Sequence, residues 1–416
     1  MSNKKSASPK LRFAEFANRG EVSFKNGDAL FEPISDKDHN CDLPVLAITQ
    51  EQGAIPREMI DYHVFVTDKS LESYKKVEVG DFIISLRSFQ GGIEYSSYQG
   101  ICSPAYIILR KKENVVNEYY KHYFKSKRFI QDLNRNLEGI RDGKMVSFEQ
   151  FSQILIPQPD TDEQQRIADC LESLDDLIDT EKNKLNTLQK QKKGLLTKLI
   201  PKHGESVPEW RFNANLNEGK WETTTLGFIG EFIRGLTYSS NDVVKNGMLV
   251  LRSGNIQNHQ ILFDDLVFVD KKTADEFQLK KNDVVICMSN GSKKLVGKTA
   301  EYVGNYDKPI TVGAFCSIFR SENPLAKYFF QTESYNKYIS NKIEGGNINN
   351  LKNSDLETFE ISIPKNPCEL EKIVETLLSI DNLILLQTER IKMLKKQKHG
   401  LIQNLFPSFE EVSKQT

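Results

Sequence analysis

The sequence is poor in the features that direct a chain to a membrane, a secretory route or a structural metal. Nowhere in its 416 residues does a run approach the 18 or more apolar residues that a membrane span requires. Met1–Lys10 is polar and lysine-bearing, with no apolar core behind it, so a signal peptide is not expected. The six cysteines (Cys41, Cys102, Cys170, Cys287, Cys316 and Cys368) are scattered. No Cys-x-x-Cys and no His/Cys pair at ligand spacing occurs, which argues against structural zinc and for a reducing, cytoplasmic setting. Cys287 and Cys316 sit in apolar runs, where small buried residues are the expectation.

Catalytic signatures are missing as well. The chain has no Pro-Pro pair, so the Asp/Asn-Pro-Pro-aromatic tetrapeptide of amino-methyltransferases cannot occur. No Gly-x-Gly-x-x-Gly follows a strand, and there is no His/Glu metal motif, Gly-x-Ser-x-Gly or carboxylate-plus-lysine nuclease cluster. Gly291–Thr299 has the outline of a phosphate loop, but five residues separate its glycines and no helix-forming run follows, so it reads as a turn between strands. We expect no chemistry from this chain itself. Nor is there an excess of positive charge: 56 Lys and Arg against 57 Asp and Glu leave a net charge of −1. Any face toward nucleic acid must come from local segregation of charge, or be shared with a partner.

What the chain does have is a long heptad helix written twice. The first seam is Ile167, Leu171, Leu174, Ile178, Glu181, Leu185, Leu188, Lys192, Leu195, Leu199. The second is Ile373, Leu377, Ile380, Ile384, Gln387, Ile391, Leu394, Lys398, Leu401, Leu405. Every position is offset by 206 residues, and steps of four and three keep one stripe toward a partner helix. Even the polar interruptions coincide, and 15 of 39 residues are identical between Glu163–Pro201 and Glu369–Pro407. This is a tandem duplication.

The charges set the direction of pairing. Glu163 to Glu181 holds seven acidic residues and one basic one, whereas Lys182 to Lys202 holds seven lysines and no acid. The second copy has the same polarity, which suits each helix macrodipole. Parallel pairing would set like charges side by side, and antiparallel pairing sets acid against base. The expectation is an intramolecular antiparallel coiled coil, each helix about 57 Å long at 1.5 Å per residue.

Before each helix lie about 160 residues rich in short β-branched runs bounded by Gly, Pro or charge. Pro44–Ile48, Asp81–Leu86 and Ala105–Leu109 in the first unit have Leu249–Leu251, Asp283–Met288 and Phe315–Phe319 at the equivalent places in the second. An aromatic helical stretch follows (Glu118–Phe129; Ala326–Gln331, continuing to Tyr338), then a Gly-bearing loop and a short strand closing on Ile-Pro. The fold class is therefore α+β: two tandem mixed α/β domains separated by two long helices. The divisions expected are 1–160, 161–203, 204–366 and 367–416.

The loops carry the candidate contacts. Asn and Gln pair with adenine edges, Arg and Lys with guanine. Such residues gather in Arg252, Asn255, Gln257 and Asn258; in Asn290, Lys293 and Lys294; and in Asn347 and Asn349. The first unit has Arg87 and Gln90, and Arg141 and Lys144, at comparable places. Asn and Gly also build ordinary turns, so both readings stand for each residue. In the aromatic stretch, Lys125 could reach a DNA phosphate, while Tyr120 and Phe124 read as core anchors.

Gly235-Leu-Thr-Tyr, Leu249-Val-Leu-Arg-Ser-Gly-Asn-Ile256, Ile-Pro before each helix, Glu163-Gln-Gln-Arg-Ile167 and the repeated Lys-Gln-Lys-x-Gly-Leu run together resemble the specificity (S) subunit of type I restriction–modification enzymes. The resemblance spans essentially the whole chain. It implies that each unit is a target-recognition domain reading one half of a split double-stranded DNA site, with the helices as spacer. It further implies docking of two methyltransferase (modification) subunits and of motor/nuclease (restriction) subunits, to which S-adenosylmethionine, ATP and Mg2+ would belong. Glu369-Leu-Glu-Lys-Ile373 departs from the Glu-Gln form of the helix start. The rival readings are a coiled-coil adaptor that binds protein and not DNA, a specificity subunit of a related system outside type I, and a stand-alone nuclease or methyltransferase, which the absent motifs oppose.

Overall fold

Both heptad stretches are unbroken helices of 39 residues, Thr161–Leu199 and Pro367–Leu405. The computed structural model describes residues 6–39, 42–60, 71–135, 146–212, 219–270, 277–344 and 350–407. Every seam residue of both helices is buried or half-buried, as a stripe of heptad spacing demands. That includes Glu181 and Gln387, at 6% exposure each.

The chain forms two compact units, residues 1–183 with 389–416 and residues 184–388. Each long helix contributes a segment to both. In unit 1, Lys398 pairs with Asp175 at 2.5 Å and Arg390 with Glu181 at 2.8 Å. One partner's number falls as the other's rises, so these two segments run in opposite directions. In unit 2, Lys192 reaches Asp381 at 2.5 Å. Lys192 and Lys398 are the matched polar interruptions of the two seams, and their partners Asp175 and Asp381 are also related by the 206-residue offset.

In unit 1 the strands β1 (Phe31–Ile34), β2 (Phe82–Ile84), β3 (Glu94–Tyr95) and β4 (Ile107–Lys111) form an antiparallel sheet in the order β1-β4-β2-β3. Helices α1 (Asn117–Tyr123) and α2 (Lys127–Arg135) follow it. The expected single aromatic helix is thus two helices. Ser126 makes the break: its hydroxyl accepts the Phe129 N–H at 3.2 Å, a capping bond that starts a new helix. Tyr120 and Phe124 are fully buried and meet Phe31 and Phe82, with the Phe82 and Phe124 rings edge-on at 5.1 Å. Ile167 and Leu171 from the first long helix and Leu405 and Phe406 from the end of the second close this core.

Unit 2 repeats the plan. Strands β5 (Glu231–Arg234), β6 (Val284–Cys287), β7 (Thr299–Glu301) and β8 (Cys316–Arg320) take the order β5-β8-β6-β7, followed by α3 (Ala326–Phe329) and α4 (Glu333–Glu344). Thr332 caps α4 as Ser126 caps α2, accepting the Tyr335 N–H at 3.2 Å. Phe319, Phe330 and Tyr335 pack with Leu196 and Leu199 of the first long helix and Ile373 and Leu377 of the second. The runs expected at equivalent places lie in β-structure in both units. Met248–Leu251 lies in a four-stranded sheet, parallel to Ile310–Val312 and antiparallel to Val267–Val269. Among the described residues of unit 1, Leu46–Thr49 pairs with Gly53–Pro56, and Val45 forms a parallel bridge with Ile101.

Two ion pairs recur in both units. Arg110 grips the buried Asp81, and Arg320 the buried Asp283, with shortest distances of 2.7 and 2.8 Å. More telling is a bidentate clamp on the first turn of each long helix. Arg12 holds both carboxylate oxygens of Glu163 at 2.8 and 2.7 Å, and Arg211 those of Glu369 at 2.8 and 2.6 Å. Both carboxylates are 1% exposed. Just before each arginine a backbone N–H caps a helix end: Leu11 donates to Asn404 O at 3.0 Å, and Trp210 to Lys198 O at 2.8 Å.

Removing the arginine strands a buried carboxylate, which costs about 3–5 kcal/mol. Arg12→Ala should lower the stability of unit 1 by that order. Arg211→Ala should cost unit 2 less, because the Trp221 indole still donates to Glu369 at 3.3 Å. Denaturant midpoints measure both, and unchanged midpoints would show that the clamps contribute nothing.

Candidate nucleic-acid interface

In unit 2 the polar loops converge because side chains tie them together. Asn290 donates through Nδ2 to the Ser253 hydroxyl at 3.1 Å and accepts the Ser292 N–H at 3.0 Å, joining the 252–255 turn to the 289–294 loop. Ser289 forms a backbone bridge with Asn350, which brings in the end of the third loop. Ser253 is a joint that reading by residue type overlooks, although it lies inside the same Arg-Ser-Gly-Asn run.

Next to this joint, Ile256–Gln257 and Gln260–Ile261 form a hairpin with Asn258 and His259 as its two-residue link. Both link residues have positive φ, +48° and +60°, the backbone of the tight turn that matches strand twist. Asn tolerates this region well, and the turn leaves Gln257, Asn258 and His259 exposed. Lys293 and Lys294 are exposed on a 3-10 turn, Lys293–Leu295, that leads into β7. The segment with the outline of a phosphate loop is therefore a turn between strands.

Two expectations need correction. Asn255 is only 3% exposed; its Nδ2 donates to Leu262 O and Asp264 O at 3.0 and 2.7 Å, and its Oδ1 accepts the Arg252 N–H at 2.9 Å. No polar atom of that amide is left for a base edge, so Asn255 braces the turn. Lys125 is drawn inward to Glu94 at 2.5 Å, with further bonds to Gly91 O at 3.1 Å and Gln50 O at 3.3 Å. Burial raises the Glu94 carboxyl pKa and lowers that of the Lys125 ammonium, each opposed by its partner. Lys125 therefore holds the 88–91 turn and is not extended toward a phosphate.

The remaining candidates divide three ways. Arg252 is half-exposed and pairs with the exposed Asp265 at 2.6 Å, a contact that water and salt weaken. Arg87 and Gln90 project from the short helix Ser88–Gly91, whose backbone Ser85 and Ser88 hold in place. Arg141, Lys144, Asn347 and Asn349 lie outside the described residues. Among the described residues, no cluster of His, Cys, Asp and Glu suits a metal ion, and no helix is long and apolar enough to cross a membrane.

This architecture, two sheet-and-helix units with polar loop clusters and a duplicated long helix, has known relatives. The family described as type I restriction modification DNA specificity domain matches twice, over residues 15–190 and 218–396. The chain belongs to that family. Among curated specificity subunits, that of the type I restriction enzyme MjaVIII from Methanocaldococcus jannaschii is 25% identical over 344 residues, 78% of each chain. That of EcoKI from Escherichia coli is 34% identical over 168 residues, and that of StySPI from Salmonella potsdam 33% over 162. These two matches span 38% and 36% of this chain and 35% of each relative, so this chain matches about a third of their length.

Among solved structures, the S subunit of a type I restriction–modification system from M. genitalium shares the fold with a TM-score of 0.53 at 15% identity, covering 97% of this chain and all of that one. A second, described by complex assembly and conformational transition of the type I R-M system, gives 0.52 at 17% identity over 92% of this chain and 97% of that one. The family match recurs once in each half of the chain, in step with the duplication.

The distinction between bracing and exposed residues can be measured. Asn255→Ala should destabilise unit 2 by about 1–3 kcal/mol, because it leaves buried backbone groups without partners. Gln257→Ala, two residues on and exposed, should stay within about 0.5 kcal/mol of wild type. Thermal unfolding of the two variants side by side tests this, and equal midpoints would reverse the assignment.

Proposed function

We propose that this chain is the non-catalytic address of a type I restriction–modification complex. The observation that carries the proposal is the duplication itself: two units of one scaffold, each matching the specificity domain, each ending in an equivalent 39-residue helix. Residues 1–160 and 204–366 are the two recognition domains, and 161–203 and 367–416 provide the two spacer helices. The helices pair as an intramolecular antiparallel coiled coil. In support, the ion pairs run in opposite directions within unit 1, and both seams are buried or half-buried throughout.

Each domain reads one half of a bipartite double-stranded site through residues of its polar loops. In unit 1 these are Arg87 and Gln90, with Arg141 and Lys144. In unit 2 they are Arg252, Gln257, Asn258 and Asn290, with Asn347 and Asn349, while Lys293 and Lys294 contact the DNA without reading its bases. A helix pair of about 57 Å holds its readers more than one DNA turn, about 34 Å, apart, leaving bases between them unread. Methylation requires extruding a base into a pocket that holds the methyl donor. That chemistry belongs to two docked methyltransferase subunits with S-adenosylmethionine, and ATP- and Mg2+-dependent translocation and cleavage to the restriction subunits. The complex works in the cytoplasm, beside the genome it marks.

Mapping methylated bases in cells is the test. Exchanging residues 1–160 for those of a related specificity subunit should change one half of the methylated sequence and leave the other half and the spacing intact. Inserting about four residues in each spacer helix should lengthen the spacing by roughly 6 Å, nearly two base pairs. A domain exchange that altered both halves would end the two-reader proposal. Failure of the assembled complex to shift any duplex would favour a protein-binding adaptor instead.

A further inference from the structure

The two units differ at one place where their folds coincide. Ser126 and Thr332 cap α2 and α4 in the same way, so Ile130 and Asn134 of α2 correspond to Asn336 and Ser340 of α4. In unit 1 the turn between β2 and β3 is sealed onto α2. Asn134 Nδ2 donates to Phe89 O at 2.7 Å, Lys125 donates to Gly91 O, and Ile130 closes on Gly92. In unit 2 the matching turn, between β6 and β7, touches α4 through Gly297, which lies against Ile339 and accepts the Tyr335 hydroxyl at 3.0 Å. Beside that contact the small polar Asn336 and Ser340 replace the sealing side chains, and a cleft of ≈ 430 Å³ remains. Lys293, Lys294 and Lys298 enter it from the turn and His259 from the hairpin tip, and among the described residues no Asp or Glu lines it.

We propose that this cleft seats phosphates of the DNA backbone, and that unit 2 has such a seat where unit 1 has a sealed joint. The proposal rests on the DNA-reading function above. Three lysines converging in one concavity attract an anion. Lysine ammonium is a compact charge with rotatable donors, suited to phosphate oxygens, and lacks the planar fork by which arginine reads guanine. Asn336 supplies a neutral donor of the kind that commonly accompanies phosphate contacts, and the Ser340 hydroxyl, which donates to Asn336 O at 3.0 Å, can rotate to add a second. The base-reading candidates Gln257 and Asn258 sit on the same hairpin as His259, so a strand anchored in the cleft would pass the loops that inspect it. Unit 2 would accordingly draw more of its affinity from salt-sensitive contacts than unit 1, whose turn is already neutralised by the Glu94–Lys125 pair.

The test uses the full chain assembled with its methyltransferase subunits and a duplex carrying the target mapped in cells. Affinity is measured across a salt series. The double variant Lys293→Ala/Lys294→Ala should bind more weakly, and log affinity against log salt should be shallower by about 1.8, two released counterions. The methylated sequence should not change. Ser340→Trp, at an exposed position, fills the mouth of the cleft without removing charge and should weaken binding as well. Wild-type affinity and slope in both variants would overturn the proposal, and an altered half-site would overturn phosphate seating in favour of base reading. Should the unmodified complex show no sequence-specific binding, the DNA-reading function itself falls, before any variant is compared.

Discussion

A lysine inside a leucine seam is the constraint on which the helical scaffold depends. Leucines and isoleucines alone tolerate a slip of one heptad, because each finds another apolar neighbour seven residues away. Lys192 and Lys398 do not, because a half-buried ammonium needs its carboxylate. Each finds an aspartate on the other long helix, Asp381 in unit 2 and Asp175 in unit 1. The same duplicated Asp and Lys therefore serve twice, each helix lending its acid to one unit and its base to the other. Around the two pairs, Tyr328 in unit 2 donates its hydroxyl to Asp381, and His122, at the equivalent place in unit 1, lies 3.4 Å from Glu172.

Much of this was legible in the chain. Heptad spacing gave both long helices, with the seams Ile167–Leu199 and Ile373–Leu405 inside Thr161–Leu199 and Pro367–Leu405, since an apolar stripe of that period has one physical solution. The short β-branched runs fell on strands, but their order in the sheets did not follow from them, because pairing is decided by contacts distant in sequence. The break at Ser126 was written as a hydroxyl followed three residues later by Phe129, a cap hidden inside an aromatic run. The clamps by Arg12 and Arg211 were hidden for another reason. Pro9-x-x-Arg12-Phe13 recurs as Pro208-x-x-Arg211-Phe212, but at an offset of 199 where the helices keep 206, so the repeat drops out of register.

The candidate interface was harder to read than the fold. Side-chain type suggests what a residue can bond and says nothing about the direction it faces. Asn255 and Asn258 lie three apart in the same loop, yet one folds inward to close the turn and the other sits at a left-handed hairpin tip. Lys125 looked like a surface cation among aromatics and proved to be the half-buried partner of the buried Glu94. Duplication sharpens these distinctions, since each unit serves as the internal reference for the other. Where they agree, as in the Arg–Asp and Arg–Glu pairs, the residues hold the scaffold. Where they differ, as in the turns facing α2 and α4, the surface has been free to change.

The division of the chain has a consequence for its birth on the ribosome. Unit 2 is a single continuous stretch, 184–388, whereas unit 1 needs 389–405 to finish a core begun more than two hundred residues earlier. The second unit in sequence can thus be the first to complete. Until then Ile167 and Leu171 wait without Leu405 and Phe406, and an apolar face stands open to chaperones or to other nascent chains. Once unit 2 has folded, the last helical segment no longer searches over a free loop of that length, and the entropy of closing unit 1 has already been met.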